Sequence, residues 1–262
     1  MCRKVNTAPG FLVVPPRARK PRRRGVTHVL DKGLPVADAA RLLEVCGEFV
    51  DVWKFGWGTA YLDPGLAEKL AVLREHDVLG CTGGTLLEVA WHQGVVEEYL
   101  AWAEELGFPC VEVSCGVAPI GPAEKRRLIE AAAGRFVVLA EIGSKDPDAE
   151  VSPAAWATAA MADRDAGATW VVTEGRESGT VGLFTPGGDV RGEVVEAVAD
   201  AVGIESVVFE APRRDQQAWL IRHYGADVSL GNIAPAETLG VEALRLGLRA
   251  DTFDLAPARV GP

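Results

Sequence analysis

One unit recurs eight times along this 262-residue chain: a short apolar run, then glycine or polar residues, then a helical stretch. Runs that are apolar throughout are typical of parallel strands buried on both faces. Parallel neighbours need a crossover connection, which is most often a helix. The predicted strands are Val26–Leu30, Val50–Trp53, Val78–Cys81, Cys110–Val113, Phe136–Ala140, Trp170–Thr173, Ser206–Phe209 and Val228–Leu230.

Eight strand-then-helix units at this length predict an α/β fold with a single (β/α)8 TIM barrel. The alternative, a doubly wound open sheet, would need a Gly-x-Gly-x-x-Gly fingerprint after the first strand. The chain has Asp31-Lys32-Gly33 there, which does not match. The predicted helices are Val36–Cys46, Gly65–Glu75, a stretch from Leu86, Val95–Leu106, Ala123–Ala133, Pro153–Ala166, Gly192–Val202, Arg214–Tyr224 and Pro235–Leu246.

Charge divides the chain into an arm and a body. Residues 1–24 hold eight of the 27 Lys and Arg residues and no acid, although the whole chain carries a net charge of -10. We predict a basic N-terminal arm over residues 1–24, a catalytic barrel over residues 25–253 and a tail over residues 254–262. The arm is either a flexible leader or a segment lying on the acidic body.

The acidic body argues against nucleic acid as a partner. No apolar run approaches the ~20 residues of a membrane span, and no secretory leader is evident. We therefore expect a cytoplasmic protein with no membrane partner, and the surface permits a homo-oligomer without locating its interface. Five cysteines without a Cys-x-x-Cys pair predict buried free thiols rather than a disulfide framework or a zinc site.

Polar side chains follow or end the predicted strands, and a barrel brings all strand C-termini to one mouth. The stretch Glu141–Asp146 is typical, with two carboxylates, a glycine and Lys145 in six residues. A plain solvated turn is the alternative for this stretch. The residues expected at the mouth are Asp31, Lys54, Glu112, Glu141, Lys145, Glu174, Arg176, Glu177, Glu210 and Asn232.

The residue types at this mouth restrict its chemistry. None of the four histidines ends a strand, and no Gly-x-Ser-x-Gly elbow occurs, so a zinc site or serine triad is not predicted. Clustered carboxylates favour a hard ion such as Mg²⁺. Glycines beside cations predict anion cradles at Gly83-Gly84, Ser178-Gly179 and Gly231-Asn232, although each pair also suits an ordinary turn. The pattern favours a Mg²⁺-dependent lyase or isomerase acting on a small phosphorylated acid.

Several blocks at these strand ends resemble the phosphosulfolactate synthase family, from about Phe11 to Phe253. The blocks are Thr27-His28-Val29-Leu30-Asp31-Lys32-Gly33, Lys54-Phe55-Gly56-Trp57-Gly58-Thr59, Gly83-Gly84-Thr85, Glu141-Ile142-Gly143, Glu174-Gly175-Arg176-Glu177-Ser178-Gly179, Phe209-Glu210-Ala211-Pro212, Gly231-Asn232-Ile233 and Gly247-Leu248-Arg249-Ala250-Asp251-Thr252.

The resemblance implies a (β/α)8 enzyme that adds sulfite to phosphoenolpyruvate with Mg²⁺. The implied product is (2R)-2-phospho-3-sulfolactate, an early intermediate of coenzyme M biosynthesis in methanogens. It implies that Lys145 is the proton donor, with Glu141 and Lys54 also catalytic. Candidate anion-binding residues are Lys32, Arg176, Ser178, Gly179, Gly83, Gly84, Gly231 and Asn232. Candidate metal ligands are Glu141, Glu174, Asp31 and Glu210.

Three departures from the family pattern leave alternatives open. The family usually has Pro-Gly-Gly-Thr, Ser-Asp-Gly and Gly-Lys-Lys where this chain has Thr82-Gly83-Gly84-Thr85, Ser114-Cys115-Gly116 and Gly143-Ser144-Lys145. A related barrel lyase adding another nucleophile to an enol phosphate is one alternative, and Cys115 as a catalytic nucleophile is another. A third is a non-enzymatic member, since plant relatives are associated with heat tolerance. The pathway that the product would enter also stays open.

Overall fold

The computed structural model describes residues 9–144 and 151–258. Eight parallel strands form a closed barrel in sequence order, with the first strand paired to the eighth. This confirms the predicted TIM barrel. The strands are β1 Thr27–Asp31, β2 Val52–Phe55, β3 Leu79–Thr82, β4 Cys110–Val113, β5 Val137–Ile142, β6 Trp170–Thr173, β7 Val207–Glu210 and β8 Ser229–Ile233.

Helices separate successive strands, as a parallel sheet requires. The α-helices are α1 Val36–Cys46, α2 Thr59–Leu62, α3 Leu66–Glu75, α4 Gly84–His92, α5 Val96–Glu105, α6 Pro122–Ala133, α7 Pro153–Asp165, α8 Gly192–Val202, α9 Arg214–Tyr224 and α10 Thr238–Arg245. Short 3-10 helices cover Gly47–Phe49, Gly56–Gly58, Ile204–Ser206, Pro235–Glu237 and Ala250–Leu255. Among the described residues, none of these helices has the length and hydrophobicity needed to span a bilayer.

Three strands extend two or more residues further toward their C-termini than the apolar runs predict. Lys54 lies within β2, Glu141 within β5 and Asn232 within β8, whereas the sequence places all three just after their strands. Charged residues can end a barrel strand because its last inward position faces the open mouth instead of the packed interior. These side chains are therefore held by the sheet itself and not by loops.

Side-chain alternation along the strands sorts the buried residues into two populations. One apolar cluster draws its buried members from the strands and the residues just before them, which places it inside the barrel. Two larger clusters combine strand residues with helix residues and fill the layer between the barrel and its helices. The interior cluster consists of Val26, Val52, Cys81, Cys110, Leu139, Trp170, Val172 and Val208.

The basic arm lies against the barrel from Arg17 onward. Arg17 binds Asp227 at 2.9 Å and Glu242 at 3.1 Å, and Arg22 is buried with its guanidinium 3.1 Å from Asp51. These contacts lie at the N-terminal end of the barrel, because Asp51 precedes β2 and Asp227 precedes β8. Residues 17–24 therefore lie on the acidic body, which is the second of the two alternatives for the arm.

Candidate active site

Five charged side chains stand directly above the interior cluster, at the C-terminal end of the barrel. Each lies two residues after a cluster member, so alternation points it into the barrel like that member. All five are buried and line one cavity of about 380 Å³. They are Lys54, Glu112, Glu141, Glu174 and Glu210, which follow Val52, Cys110, Leu139, Val172 and Val208.

The Lys54 ammonium is the centre of this group. Its Nζ lies 3.0 Å from Glu112 Oε2 and 3.0 Å from Glu210 Oε1. Burial alone would lower the pKa of Lys54, but the carboxylates of Glu112, Glu210 and Glu141 hold it well above its ordinary value of 10.5. Lys54 is therefore a fixed cation at neutral pH, suited to binding an anion and not to giving up its proton.

Glu112 and Glu210 each divide their oxygens between Lys54 and the backbone. Glu112 Oε1 accepts the Gly84 N–H at 2.9 Å, and Glu210 Oε2 accepts the Gly175 N–H at 3.0 Å. Burial raises the pKa of Glu112, an effect that Lys54 opposes and the charges of Glu141 and Glu210 reinforce. Both carboxylates thus hold Lys54 in place. Glu112 also ties β4 to the start of α4, and Glu210 ties β7 to the loop after β6.

Backbone strain surrounds the cavity. Trp57, Arg176 and Asn232 line it, and all three have left-handed φ values, of 53°, 52° and 55°. Such conformations are uncommon for residues other than glycine and cluster at functional sites. Arg176 is anchored by its own N–H, which donates to Glu174 Oε1 at 2.7 Å. The loop after β6 thereby places Arg176, which is exposed, at the wall of the cavity.

Asn232 reaches the cavity because β8 is irregular. The pairing of β1 with β8 shifts by one residue between Thr27 and Val29, which is the signature of a β-bulge. Gly231 points inward against His28, and the left-handed Asn232 then turns its own side chain to the mouth. Asn232 is buried, and its Oδ1 has no hydrogen-bond partner among the described residues. A buried amide oxygen without a donor is costly and suits a bound ligand or cation.

Comparisons with known proteins identify the family of this chain. The sequence model of the (2R)-phospho-3-sulfolactate synthase (ComA) family matches residues 15–251. The chain belongs to this family. It is 42% identical over 247 residues to phosphosulfolactate synthase of Methanothermobacter thermautotrophicus, covering 92% of this chain and 96% of that one. These relatives indicate that the chain is an enzyme and confirm the resemblance read from the strand ends.

More distant relatives extend the comparison. Phosphosulfolactate synthase of Bacillus subtilis is 37% identical over 247 residues, covering 93% of this chain and 98% of that one. Protein HEAT-STRESS-ASSOCIATED 32 of Arabidopsis thaliana is 24% identical over 263 residues, covering 87% and 88%. Among solved structures, 3-hexulose-6-phosphate synthase superposes with a TM-score of 0.56 at 18% identity, covering 84% of this chain and 99% of that one. That last similarity shows the fold alone.

Eight of the ten polar residues expected at the mouth line the cavity. Lys145, the residue to which the family resemblance assigns proton donation, lies outside the described residues. Asp31 is the exception among the candidate metal ligands, because it follows Val29 of the helix-facing layer and shares its orientation. It is fully buried away from the cavity, where it binds Lys69. The eight are Lys54, Glu112, Glu141, Glu174, Arg176, Glu177, Glu210 and Asn232.

The predicted anion cradles are only partly present. Gly83 and Gly84 line the cavity, but their N–H groups already bind Phe55 O and Glu112. They are glycines because a Cβ at Gly83 would lie 2.6 Å from Phe55 O, and a Cβ at Gly84 would overlap Ser114. Close packing therefore replaces the anion-binding role proposed for these two amides.

Four other predicted anion-binding residues do not line the cavity. Gly179 binds Gln216 through its carbonyl at 2.7 Å, and the exposed Ser178 hydroxyl bonds to Thr180 at 2.9 Å. Gly231 packs on His28 inside the barrel. Lys32 is exposed, with its ammonium 5.0 Å from the ring centroid of Trp57 at the edge of the cavity. Of the predicted anion-binding side chains, Arg176 and Asn232 are the two that line the cavity.

Sequence reasoning missed two features of the site. Glu112 was expected at the mouth, with an inward-pointing core polar group as the alternative because it lies within its strand, but it was not assigned a role in binding Lys54. Trp57 was part of a family block but was not proposed as a site residue, although it stands between two glycines, a pattern that signals unusual backbone geometry.

Proposed function

We propose that this chain is a phosphosulfolactate synthase of the carbon–sulfur lyase type, which adds sulfite to phosphoenolpyruvate to give (2R)-2-phospho-3-sulfolactate. The observation that carries this proposal is the Lys54 cluster. A permanently charged ammonium lies in a cavity that also presents Arg176, in a chain whose relatives are phosphosulfolactate synthases. Both proposed substrates are small anions, which such cations attract.

The proposed reaction balances without an oxidant or reductant. The lone pair on the sulfite sulfur forms a bond to the methylene carbon of phosphoenolpyruvate. The π electrons of the C=C bond move toward C2 and into the carboxylate, which becomes an enediolate. C2 then takes a proton from an acid, and the phosphate stays attached. The step that the protein must assist is the build-up of charge on the carboxylate oxygens.

We assign that assistance to Lys54 and Arg176. The Lys54 ammonium has two of its three N–H donors directed to Glu112 and Glu210, which fixes its position before substrate arrives. Preorganised charges of this kind stabilise a developing anion without reorganising during the reaction. Because the raised pKa keeps Lys54 protonated, we assign proton donation at C2 to another group, and Lys145 remains our proposal on the family resemblance.

We also propose that Mg²⁺ binds in this cavity. No set of three or more His, Cys, Asp or Glu side chains among the described residues forms a metal cluster by itself. Mg²⁺ does not require one, since it commonly binds one or two carboxylates together with waters and substrate oxygens. Its chemistry there would be Lewis-acid stabilisation of the enediolate charge.

The donor set fits a hard cation. Both oxygens of Glu112 and of Glu210 are committed to Lys54 and to backbone N–H groups, so these two are poor candidates. Glu141 and Glu174 are our carboxylate candidates because both are buried and line the cavity. Asn232 Oδ1, which has no hydrogen-bond partner among the described residues, adds a neutral oxygen donor. Asp31 is removed from the candidate ligands because it faces the helices.

Two of the three departures from the family pattern lie away from the cavity. The Thr82 hydroxyl bonds to Tyr99 at 2.6 Å in the helix-facing layer, and Cys115 packs against that same layer. Neither residue lines the cavity, so neither gives a reason to propose another nucleophile. We therefore retain sulfite as the proposed nucleophile.

A ³¹P NMR time course tests the proposed function. Purified protein is mixed with phosphoenolpyruvate, sulfite and Mg²⁺, and each component is omitted in turn. We expect a new phosphoester resonance that requires all four components. A folded protein that consumes no phosphoenolpyruvate, or consumes it without sulfite, would contradict the proposal.

A further inference from the structure

The loop after β4 is held by a carboxylate from a neighbouring helix. Glu88 of α4 is buried, and its Oε1 accepts the Ser114 hydroxyl and, at 3.1 Å, the Gly116 N–H. Its Oε2 accepts the N–H groups of Val117 at 2.7 Å and Ala118 at 2.5 Å. All four of these donors are neutral, and three belong to the loop backbone. Hydrogen bonds from backbone N–H groups to a carboxylate are shorter and stronger than those between neutral groups.

The same helix also contacts the Lys54 cluster. The Gly84 N–H at the start of α4 donates to Glu112 Oε1, and Glu112 Oε2 binds Lys54. Glu88 lies four residues after Gly84 and so stands one turn further along the same face. Because a Cβ at Gly84 would overlap Ser114, α4 and the end of β4 are in direct contact. One rigid helix therefore holds both Glu112 and the loop that follows it.

We propose that Glu88 is a positioning residue for the active site. By binding the loop over residues 114–118, it sets Val117 on the wall of the cavity and keeps the end of β4 where Glu112 can hold Lys54. Among the described residues, the hydrogen-bond donors to this buried carboxylate all come from the loop, and a buried charge is costly unless such donors compensate it. Glu88 touches no substrate in this arrangement, and it acts through the loop and through Glu112.

Hydrogen exchange tests the contacts without any assay of activity. In the unmodified protein, the N–H groups of Gly116, Val117 and Ala118 should exchange slowly although they lie in a loop. Glu88→Gln keeps the shape but turns one oxygen into a donor that faces donors. We expect these amides to exchange about 10-fold to 100-fold faster, because a charge-assisted hydrogen bond is replaced by a clash of donors.

Glu97→Gln is the matched control. This substitution makes the same chemical change on α5. The Glu97 side chain is 75% exposed and pairs with Arg135 at 3.4 Å. Exchange at residues 116–118 should stay unchanged in this variant. Equal exchange at these amides in Glu88→Gln and Glu97→Gln, or fast exchange in the unmodified protein, would overturn the proposal.

Kinetics test the consequence for the active site, and this part of the test rests on the proposed function. In Glu88→Gln, kcat should fall about tenfold or more while KM for phosphoenolpyruvate changes by less than about threefold, since the catalytic geometry is loosened but no substrate contact is lost. A purely structural role would reduce the amount of folded enzyme and leave both constants of the folded fraction unchanged. That result would overturn the positioning role.

A second variant tests the proposal if Glu88→Gln does not fold. Ser114→Ala removes one of the four donors to Glu88 and leaves the three backbone donors in place. It should give a smaller fall in kcat in the same direction, and kcat equal to that of Glu97→Gln would count against the proposal. If the unmodified protein shows no turnover while the amides over residues 116–118 respond to Glu88→Gln, the proposed function fails and the loop contact stands.

Discussion

Two buried lysines each bind two carboxylates, on opposite faces of the same end of the barrel wall. Lys54 faces the barrel interior and lies 3.0 Å from Glu112 and 3.0 Å from Glu210. Lys69 of α3 faces β1 from outside and lies 3.0 Å from Asp31 and 2.6 Å from Asp63. The two clusters share one chemistry, and they differ in what surrounds them.

The Lys69 cluster is closed. Asp31 uses both oxygens, with Oδ1 accepting the N–H groups of Gly33 and Leu34 and Oδ2 accepting from Lys69 and the Trp53 indole. Both Lys69 and Asp31 are completely buried. Such a cluster fixes the loop after β1 and leaves no place for a ligand.

The Lys54 cluster opens on the cavity and is not neutral. Among the residues that the structure describes, five carboxylates line that cavity against the two cations Lys54 and Arg176. The surplus of negative charge favours a bound cation, which could then bridge to an anionic substrate. The comparison teaches that a buried Lys–carboxylate cluster becomes a site only where it meets a cavity with unbalanced charge. The carboxylates are Glu112, Glu141, Glu174, Glu177 and Glu210.

Replacing each lysine in turn should give the largest contrast. Lys54→Met should lower kcat/KM for the proposed reaction by at least about 10³-fold, because it removes a charge aimed at the developing enediolate. Lys69→Met should leave kcat/KM of the folded protein within about threefold. Both variants should lose about 3–5 kcal/mol in free energy of unfolding, because each leaves buried carboxylates without their cation.

Steady-state kinetics with denaturant unfolding check both halves of this prediction. The comparison fails if Lys69→Met loses as much turnover per folded molecule as Lys54→Met does.

Replacing a cavity carboxylate and replacing a carboxylate of the closed cluster should also have different effects. Glu174→Gln should raise the Mg²⁺ concentration for half-maximal activity about tenfold, since a charged oxygen donor becomes neutral. Asp31→Asn should leave the Mg²⁺ requirement unchanged and lower the melting temperature instead. Magnesium titrations of initial rate measure the first effect, and thermal unfolding measures the second. An unchanged Mg²⁺ requirement in Glu174→Gln would remove Glu174 from the candidate ligands.

The pH dependence should show little influence of Lys54 near neutrality. Its pKa is raised in the folded protein, so the stability from its ion pairs is fully present below the ordinary value of 10.5. That stability is lost only as pH rises through the higher folded pKa. The difference in unfolding free energy between the unmodified protein and Lys54→Met should therefore stay constant from pH 7 to pH 9. A difference that shrinks over that range would show that Lys54 loses its proton there.

Cys115 should give the smallest effect. Burial raises the pKa of its thiol, so it is protonated and unreactive at neutral pH. Cys115→Ser should keep kcat/KM within about twofold, and iodoacetamide should modify the native thiol slowly. Loss of turnover in Cys115→Ser would revive the hypothesis of a cysteine nucleophile.

Most of the fold could be predicted because each strand carries its own local pattern. The predicted helices Val36–Cys46, Gly192–Val202 and Arg214–Tyr224 match the observed bounds. The C-terminal ends of six strands were placed too early, by two or more residues in β2, β5 and β8, because charged or polar residues resemble loop residues when their burial is unknown. A charge on the last inward position of a barrel strand breaks the apolar pattern without ending the strand.

The sequence predicted which residues gather at the site but not which way each side chain points. Asp31 and Glu210 both follow apolar runs, yet one faces the helices and the other faces the cavity. Counting alternate residues from Val29 and Val208 separates them once the inward face is known. Asn232 could not be placed by counting, because the bulge in β8 reverses the alternation at that point. Backbone commitments such as the Gly84 N–H bond to Glu112 also leave no trace in sequence.

The central claim, that the open cluster binds ligands and the closed one does not, is tested most directly by ligand-induced stabilisation. Mg²⁺ and phosphoenolpyruvate are added to the unmodified protein, Lys54→Met and Lys69→Met, and unfolding is followed in each. At 100 times Kd, bound ligand should stabilise the unmodified protein by about 2.7 kcal/mol. We predict that Lys69→Met, though less stable at the outset, keeps this increment and that Lys54→Met loses it. An increment retained in Lys54→Met, or lost equally in both variants, would contradict the account.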